Sequence, residues 1–243
     1  MTQHVAQSLE DGRLCVLVTR PEPSAGRTAD HLRDLGFATI VAPLPKIEPL
    51  APRMALDEQH RYVATSANAF LAPPPQGFQF NQTRDFICVG EKTARAGVSW
   101  GLPDPTIVAP DVRTLLERTN AAGLKITRWP IAYFAGRDRS PQIEEALDEA
   151  AARYQVFETY RAPPIARPFE GIDLAQIDAV LLMSPRAAER FGGAWDSDFS
   201  VIALCLSDNV RASLPWVIGR TALVSDQPNF QSLLHSLERL ADQ

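Results

Sequence analysis

Lysine, histidine and cysteine are scarce in this sequence, and long apolar runs are missing. Only Lys46, Lys92 and Lys125 are lysines among the 24 basic side chains. The preference for arginine fits either a biased genome composition or a use for its fork, which suits carboxylates. The net charge of −5 excludes a generic nucleic-acid binder, which needs a basic face. It leaves room for an anion in a local pocket. None of the four histidines, His4, His31, His60 and His235, falls at a strand end, so no metal site is expected. The cysteines, Cys15, Cys88 and Cys205, sit far apart in apolar runs and lack metal-ligand spacing, which suits small buried hydrophobes. No stretch approaches the roughly 20 apolar residues of a membrane span. Residues 1–12 are polar and read as a flexible tail, not a signal peptide. The chain is therefore expected in the cytoplasm, away from membranes. A G-x-G-x-x-G turn, a Walker lysine and a G-x-S-x-G elbow are all lacking, which removes the common nucleotide-binding and serine-hydrolase readings.

What is present is one repeated unit: a short apolar strand, a turn rich in Gly, Ser, Thr or Pro, and an amphipathic helix. Residues 14–19 (LCVLVT) form the first strand, and a helix follows over 25–35, closed by Gly36. Further strands are expected at 39–42, 62–65, 86–89, 131–134, 156–160, 179–183, 201–206 and 222–224, with helices over 141–153 and 230–240. Strands alternating with helices predict parallel sheets covered on both faces. About nine strands are more natural for two domains than for one. Two Pro-rich segments, 43–52 and 162–168, are the candidate crossings. Two crossings place one domain inside the other: 13–45 with 166–243 form a discontinuous first domain, and 46–165 the inserted second.

Ligands of such sheets bind outside the carboxyl ends of the strands, so the strand-end turns carry the functional reading. Gly136-Arg137-Asp138-Arg139-Ser140 offers guanidiniums and a helix start to an anion, or is a solvated turn. Thr65-Ser66, Gly90, Ser184 and Ser207-Asp208-Asn209 are small or polar turns of the same kind. The serines serve equally as helix N-caps. If the sheets face one another across a cleft, these turns line it with N–H groups and hydroxyls suited to a polyanion. At this level the chain is a two-lobed binder of an anionic ligand, as an enzyme or as a binding protein without catalysis.

The order of the turns resembles one family, the uroporphyrinogen-III synthases, from end to end apart from the tail. Val16-Leu17-Val18-Thr19-Arg20-Pro21 is similar to its first strand and turn, and Pro43-Leu44-Pro45-Lys46-Ile47-Glu48-Pro49 to its first interdomain segment. Thr65-Ser66-Ala67-Asn68-Ala69 matches T-S-x-x-A, and Val89-Gly90-Glu91-Lys92-Thr93-Ala94 matches V-G-x-x-T-A. The stretch 133–137, Tyr160-Arg161 and Met183-Ser184-Pro185-Arg186-Ala187-Ala188 resemble later family turns. Two departures stand out. Ser207-Asp208-Asn209-Val210-Arg211 lacks the Gly and Thr of a second G-x-x-T-A turn, the feature that favours a non-catalytic binder. Pro73-Pro74-Pro75 cuts short the helix after Asn68.

The resemblance implies two flavodoxin-like α/β domains joined by two linker strands. It implies a monomer without cofactor, acting on hydroxymethylbilane, a linear tetrapyrrole with eight carboxylates. The family reaction loses the terminal hydroxyl to give an azafulvene. It then passes through a spiro intermediate and closes the ring with ring D inverted, yielding uroporphyrinogen III. Arg20, Arg137 and Arg186, with the turns holding Thr65, Ser66, Asn68, Gly90, Lys92, Thr93, Ser184, Ser207 and Asn209, are the implied substrate contacts. Tyr160 is the implied donor to the departing hydroxyl.

Overall fold

The computed structural model describes residues 13–54, 56, 60–74, 76–77, 79–121, 130–196 and 199–242; the tail at 1–12 and Pro75 lie outside them. In chain order the first elements are β1 (Cys15–Val18), α1 (Ser24–Asp34), β2 (Ala38–Val41), β3 (Glu48–Pro49) and β4 (Arg61–Ala64). A 3-10 turn (Ala67–Phe70), β5 (Phe86–Val89), α2 (Glu91–Ser99), β6 (Ile107–Ala109) and α3 (Val112–Ala121) follow. Then come β7 (Ile131–Gly136), α4 (Gln142–Glu149), β8 (Tyr154–Arg161), a 3-10 turn (Leu174–Gln176) and β9 (Ala179–Leu182). The chain closes with α5 (Pro185–Ala194), β10 (Ile202–Cys205), α6 (Asp208–Ala212), α7 (Trp216–Gly219), β11 (Leu223–Val224) and α8 (Phe230–Ala241). Contacts divide the described residues into two compact units, one holding those up to Lys46 and from Pro163 onward, the other those between Ile47 and Ala162.

Unit 1 is a five-stranded sheet ordered β11-β10-β9-β1-β2, and every pair in it is parallel. All four residues of β1 and of β9 are buried, as sheets covered on both faces require. Side chains alternate: Leu17, Val180 and Leu182 pack with Phe191 of α5 and Val210 of α6. Val16, Val18 and Leu181 pack with Leu32 of α1 and Leu233 and Leu237 of α8. Gly36 ends α1 at φ 93, with Phe37 N–H donating to the Leu32 carbonyl and Gly36 N–H to that of Arg33. That is the glycine stop expected from the sequence. Counted within the unit, the strand order is the flavodoxin order 2-1-3-4-5.

Unit 2 is a six-stranded sheet ordered β3-β8-β7-β4-β5-β6, antiparallel only at β3. Its parallel strands follow the other doubly wound order, 3-2-1-4-5. One face packs Val63, Ile87, Ile131 and Ala135 against Leu115 of α3 and Ile143 and Leu147 of α4. On the other face, beside Ala94 of α2, the 3-10 turn is followed by Pro73 and Pro74, and a cluster of aromatic rings packs there. Phe70 lies 5.3 Å from Trp100 and 6.0 Å from Phe134, while Phe80 lies 5.1 Å from Trp100. The Trp100 indole N–H donates to the Ala72 carbonyl at 2.6 Å and pins the shortened segment.

Several elements depart from the sequence expectation. Strands β3 and β6 are additional, bringing the described strands to eleven. Helix α4 ends at Glu149, short of 153, and β8 starts at Tyr154, ahead of 156. The reason is Ala151, whose φ of 50 turns the chain left-handed, while Ala152 N–H donates back to the Leu147 carbonyl. The cysteines are buried and free, and burial pushes the thiols of Cys15, Cys88 and Cys205 up to about 11.

A left-handed residue with a side chain is strained by roughly 1–2 kcal/mol, part of which glycine gives back through its looser unfolded chain. Ala151→Gly is therefore expected to stabilise the protein by up to about 1 kcal/mol. Urea denaturation with an unchanged m-value checks this, and a lowered midpoint refutes it.

Candidate active site

In each unit the strand order reverses once, and there the crevice beside the carboxyl ends of the strands opens. In unit 2 the reversal lies between β4, which runs into Thr65 and Ser66, and β7, which ends at Gly136. A cavity of about 180 Å³ sits at this point, lined among others by Thr65, Ser66, Tyr133, Gly136, Arg139 and Tyr160. The Ser66 hydroxyl accepts from the Asn68 N–H at 3.2 Å and caps the 3-10 turn.

Tyr160 reaches the cavity because of two backbone features. The register of β8 against β7 slips between Ala135 and Gly136, so that Gly136 pairs with Tyr160 and Thr159 is passed over. Such bulges re-aim side chains beside functional sites. Gly136 has no side chain, and a Cβ there would lie 2.6–2.9 Å from the Tyr160 ring and hydroxyl. The Arg137 N–H donates to the Tyr160 carbonyl at 2.8 Å and fixes the turn.

Tyr133 forms the inner wall. It is 1% exposed, and its hydroxyl lies 3.3 Å from Thr65 Oγ1. Burial raises its ionisation above the ordinary phenol value, and the hydrogen bond to Thr65 opposes the rise only in part. Tyr133 was not among the residues that the turns suggested. Its only sequence signal is a phenol inside an otherwise apolar run.

The charges around the cavity balance among themselves. Arg139 donates to both Glu144 oxygens at 2.8 Å, to Glu158 Oε1 at 3.2 Å and to the Gly136 carbonyl at 3.1 Å. Hydrogen bonding to Glu144 raises the Arg139 pKa. Arg137 donates through Nε to Glu158 Oε2 at 3.0 Å, the main reason that the Glu158 carboxyl is held below its usual range. The guanidinium of Arg137 is thus paired outside the cavity, and the anion attraction expected of residues 136–140 is largely met by Glu144 and Glu158. Gly90, at φ 81, ends β5 next to β4. Lys92 is exposed in the first turn of α2, and Thr93 is turned inward at 3% exposure. The structure does not bring Asn68, Gly90, Lys92 or Thr93 into the cavity wall.

In unit 1 the reversal lies between β1, followed by Thr19 and Arg20, and β9, followed by Met183 and Ser184. Arg20 is half-buried and donates to Thr28 Oγ1 at 3.2 Å, and no carboxylate among the described residues pairs with it. Burial, and then the nearby Arg27, lower its pKa. A desolvated cation with no paired carboxylate among the described residues attracts an anion. The Ser184 hydroxyl caps α5 by accepting from the Ala187 N–H, and Arg186 is exposed beside it. Ser207 stands at the N-cap of α6 but makes no side-chain cap bond, and Asn209 is exposed in that helix. Among the described residues no group of three or more His, Cys, Asp or Glu is gathered as a metal would require.

The chain matches a family model described as uroporphyrinogen-III synthase HemD over residues 26–235. Among solved structures it is similar to a mutant uroporphyrinogen III synthase of the extremely thermophilic bacterium Thermus thermophilus. That match has 18% identity and a TM-score of 0.58, covering 95% of this chain and 100% of that one. It is similar also to a uroporphyrinogen-III synthetase from Helicobacter pylori, at 13% identity and a TM-score of 0.62, covering 94% and 99%. No curated protein matches the chain. At these identities the structural likeness speaks for the fold, and the family model for the family.

The contact between Gly136 and Tyr160 is open to a stability test. Gly136→Ala forces the ring aside and should destabilise the protein by about 1–3 kcal/mol. In a Tyr160→Ala background the same change should cost far less. A double-mutant cycle by urea denaturation checks the coupling, and additive effects would show that the ring does not rest on Gly136.

Proposed function

The chain belongs to the uroporphyrinogen-III synthase family, a family of cyclising lyases, and we propose how the strand-end groups described above divide its reaction. The observation that carries the reading is Tyr160, wedged over Gly136 into a hydroxyl-lined cavity at the reversal of the unit 2 sheet.

Unassisted, hydroxymethylbilane closes to the uninverted isomer, so the protein has to hold a disfavoured arrangement of the chain. Positioning of this kind is worth roughly 7–11 kcal/mol in favourable cases. In unit 1, Arg20 takes a substrate carboxylate, supported by its burial and by the lack of a paired carboxylate among the described residues. Ser184, Arg186, Ser207 and Asn209 are the remaining polar groups at the ends of β9 and β10. In unit 2, the proposed contacts are Thr65 and Ser66 in the cavity wall, with Asn68, Gly90, Lys92, Thr93 and Arg137 from the neighbouring turns.

Tyr160 donates to the departing hydroxyl. The C–O bond breaks with its electron pair on oxygen, the oxygen takes the phenol proton and leaves as water. The pyrrole N–H proton, lost as the azafulvene forms, replaces the one donated. The azafulvene carbon is then attacked by ring D through its substituted carbon, and the spiro intermediate reopens and closes with that ring inverted. A positioned acid contributes typically about 10²–10⁴-fold.

We place the enzyme in the cytoplasm as a monomer that needs no cofactor. Its three buried free thiols suit a reducing compartment, and no helix of the described residues is long and apolar enough to cross a membrane. The Pro-rich segments 43–52 and 162–168 are proposed as the two crossings between domains.

Tyr160→Phe should lower the rate of isomer III formation by about tenfold or more, with more uninverted isomer among the products and a melt close to wild type. An assay that separates the isomers, run beside the melt, checks this, and an unchanged rate would reduce Tyr160 to a packing residue. Activity should also survive exhaustive chelation and dialysis. A loss reversed by adding one metal would overturn the cofactor-free reading.

A further inference from the structure

The substrate carries two kinds of chemistry: acidic side arms, and one reacting end where a hydroxymethyl group joins a pyrrole. Acidic arms call for cations or free N–H donors. The cation in the wall of the unit 2 cavity, Arg139, is already engaged by Glu144, Glu158 and the Gly136 carbonyl. Asp138 adds a further carboxylate to the same wall. An acidic arm placed there would have to compete with Glu144 and Glu158 for that cation. The other polar groups of the wall include neutral oxygens, those of Thr65, Ser66, Tyr133 and Tyr160.

Size points the same way. The cavity measures about 180 Å³. It is smaller than the roughly 300–1,000 Å³ of a cavity enclosing a whole drug-sized ligand. It suits one five-membered ring and its arm, not four linked rings.

The pair formed by Tyr133 and Thr65 supplies the donor. Two hydroxyls 3.3 Å apart are joined by one hydrogen bond, which uses one of their two protons. Whichever of them donates, the other keeps an O–H free for a third oxygen. Burial keeps the Tyr133 phenol protonated, so the pair stays neutral.

Resting on the synthase reading above, we propose that this cavity receives the hydroxymethyl-bearing ring of the substrate and none of its acidic arms, and that Tyr133 with Thr65 holds the hydroxyl about to leave. Tyr160 gives the proton, as described. The Tyr133–Thr65 pair keeps its protons and fixes the oxygen in place, so its loss acts on the bound complex more than on binding.

Steady-state kinetics and a fragment titration on the full-length protein test this. Tyr133→Phe and Thr65→Val should each lower kcat by about tenfold or more. KM should stay within about twofold, because the acidic arms bind elsewhere, and the melts should stay near wild type. With tyrosine labelled at ¹³Cζ, the Tyr133 resonance, identified by its loss in Tyr133→Phe, should move on adding 2-hydroxymethylpyrrole and not on adding propionate. A raised KM with unchanged kcat, a near wild-type kcat in both variants, or a resonance that follows propionate or neither probe overturns the proposal. A wild-type protein that forms no isomer III would overturn the synthase reading instead. The fragment titration needs no turnover and still decides what the cavity holds.

Discussion

A polar group left unsatisfied inside a strand buried on both faces is costly. Polar chemistry is therefore pushed to the strand ends, and both units follow from this. In β1 and β9 every residue is buried and apolar, and Arg20 and Ser184 appear only once those strands have ended. In β7 all six residues are buried, and the one hydroxyl among them, on Tyr133, finds Thr65 at the end of the neighbouring strand. Even the burial of Gly136 has this origin, since the ring of Tyr160 covers the backbone where a side chain would have stood.

Electrostatics then sorts the two units. The unit 2 turn holds two arginines, but Glu144 and Glu158 answer them within about 3 Å. The more exposed pair, Arg137 with Glu158, contributes only about 0–1 kcal/mol of stability; the larger effect of these pairs is to answer the cations beside the cavity. Arg20 in unit 1 has the opposite situation, a desolvated charge with a second arginine near it. Arginine content alone would rank these positions equally, and their partners rank them differently.

Much of this was legible in the sequence. Apolar runs of four residues marked the buried strands, Gly36 marked the end of α1, and Tyr160 stood where strand meets linker. The unread parts share a physical cause: each depends on a partner distant in sequence or on a residue in an unusual role. β3 is two residues long and exists only by pairing with β8. β6 is three residues in a segment bounded by Pro105 and Pro110. Ala151 does a turn that glycine usually performs, so no glycine announced it. Tyr133 meets Thr65 across 68 positions, and Arg137 is neutralised by a glutamate 21 positions away. Periodicity carries no information about either pairing.

The pairing of β3 with β8 has a consequence for how this protein can change over time. Glu48 is the register partner of Arg161 and bonded to it by a 2.7 Å hydrogen bond, so unit 2 begins and ends at neighbouring points on one ribbon. On the unit 1 side the same two segments meet again, with Lys46 N–H donating to the Pro163 carbonyl and Ile165 N–H to that of Leu44. A module whose entrance and exit are adjacent can be shortened, enlarged or exchanged without stretching the chain that hosts it. The cluster of rings after Asn68 lies in the module's interior, so an edit there would leave its doorway as it is.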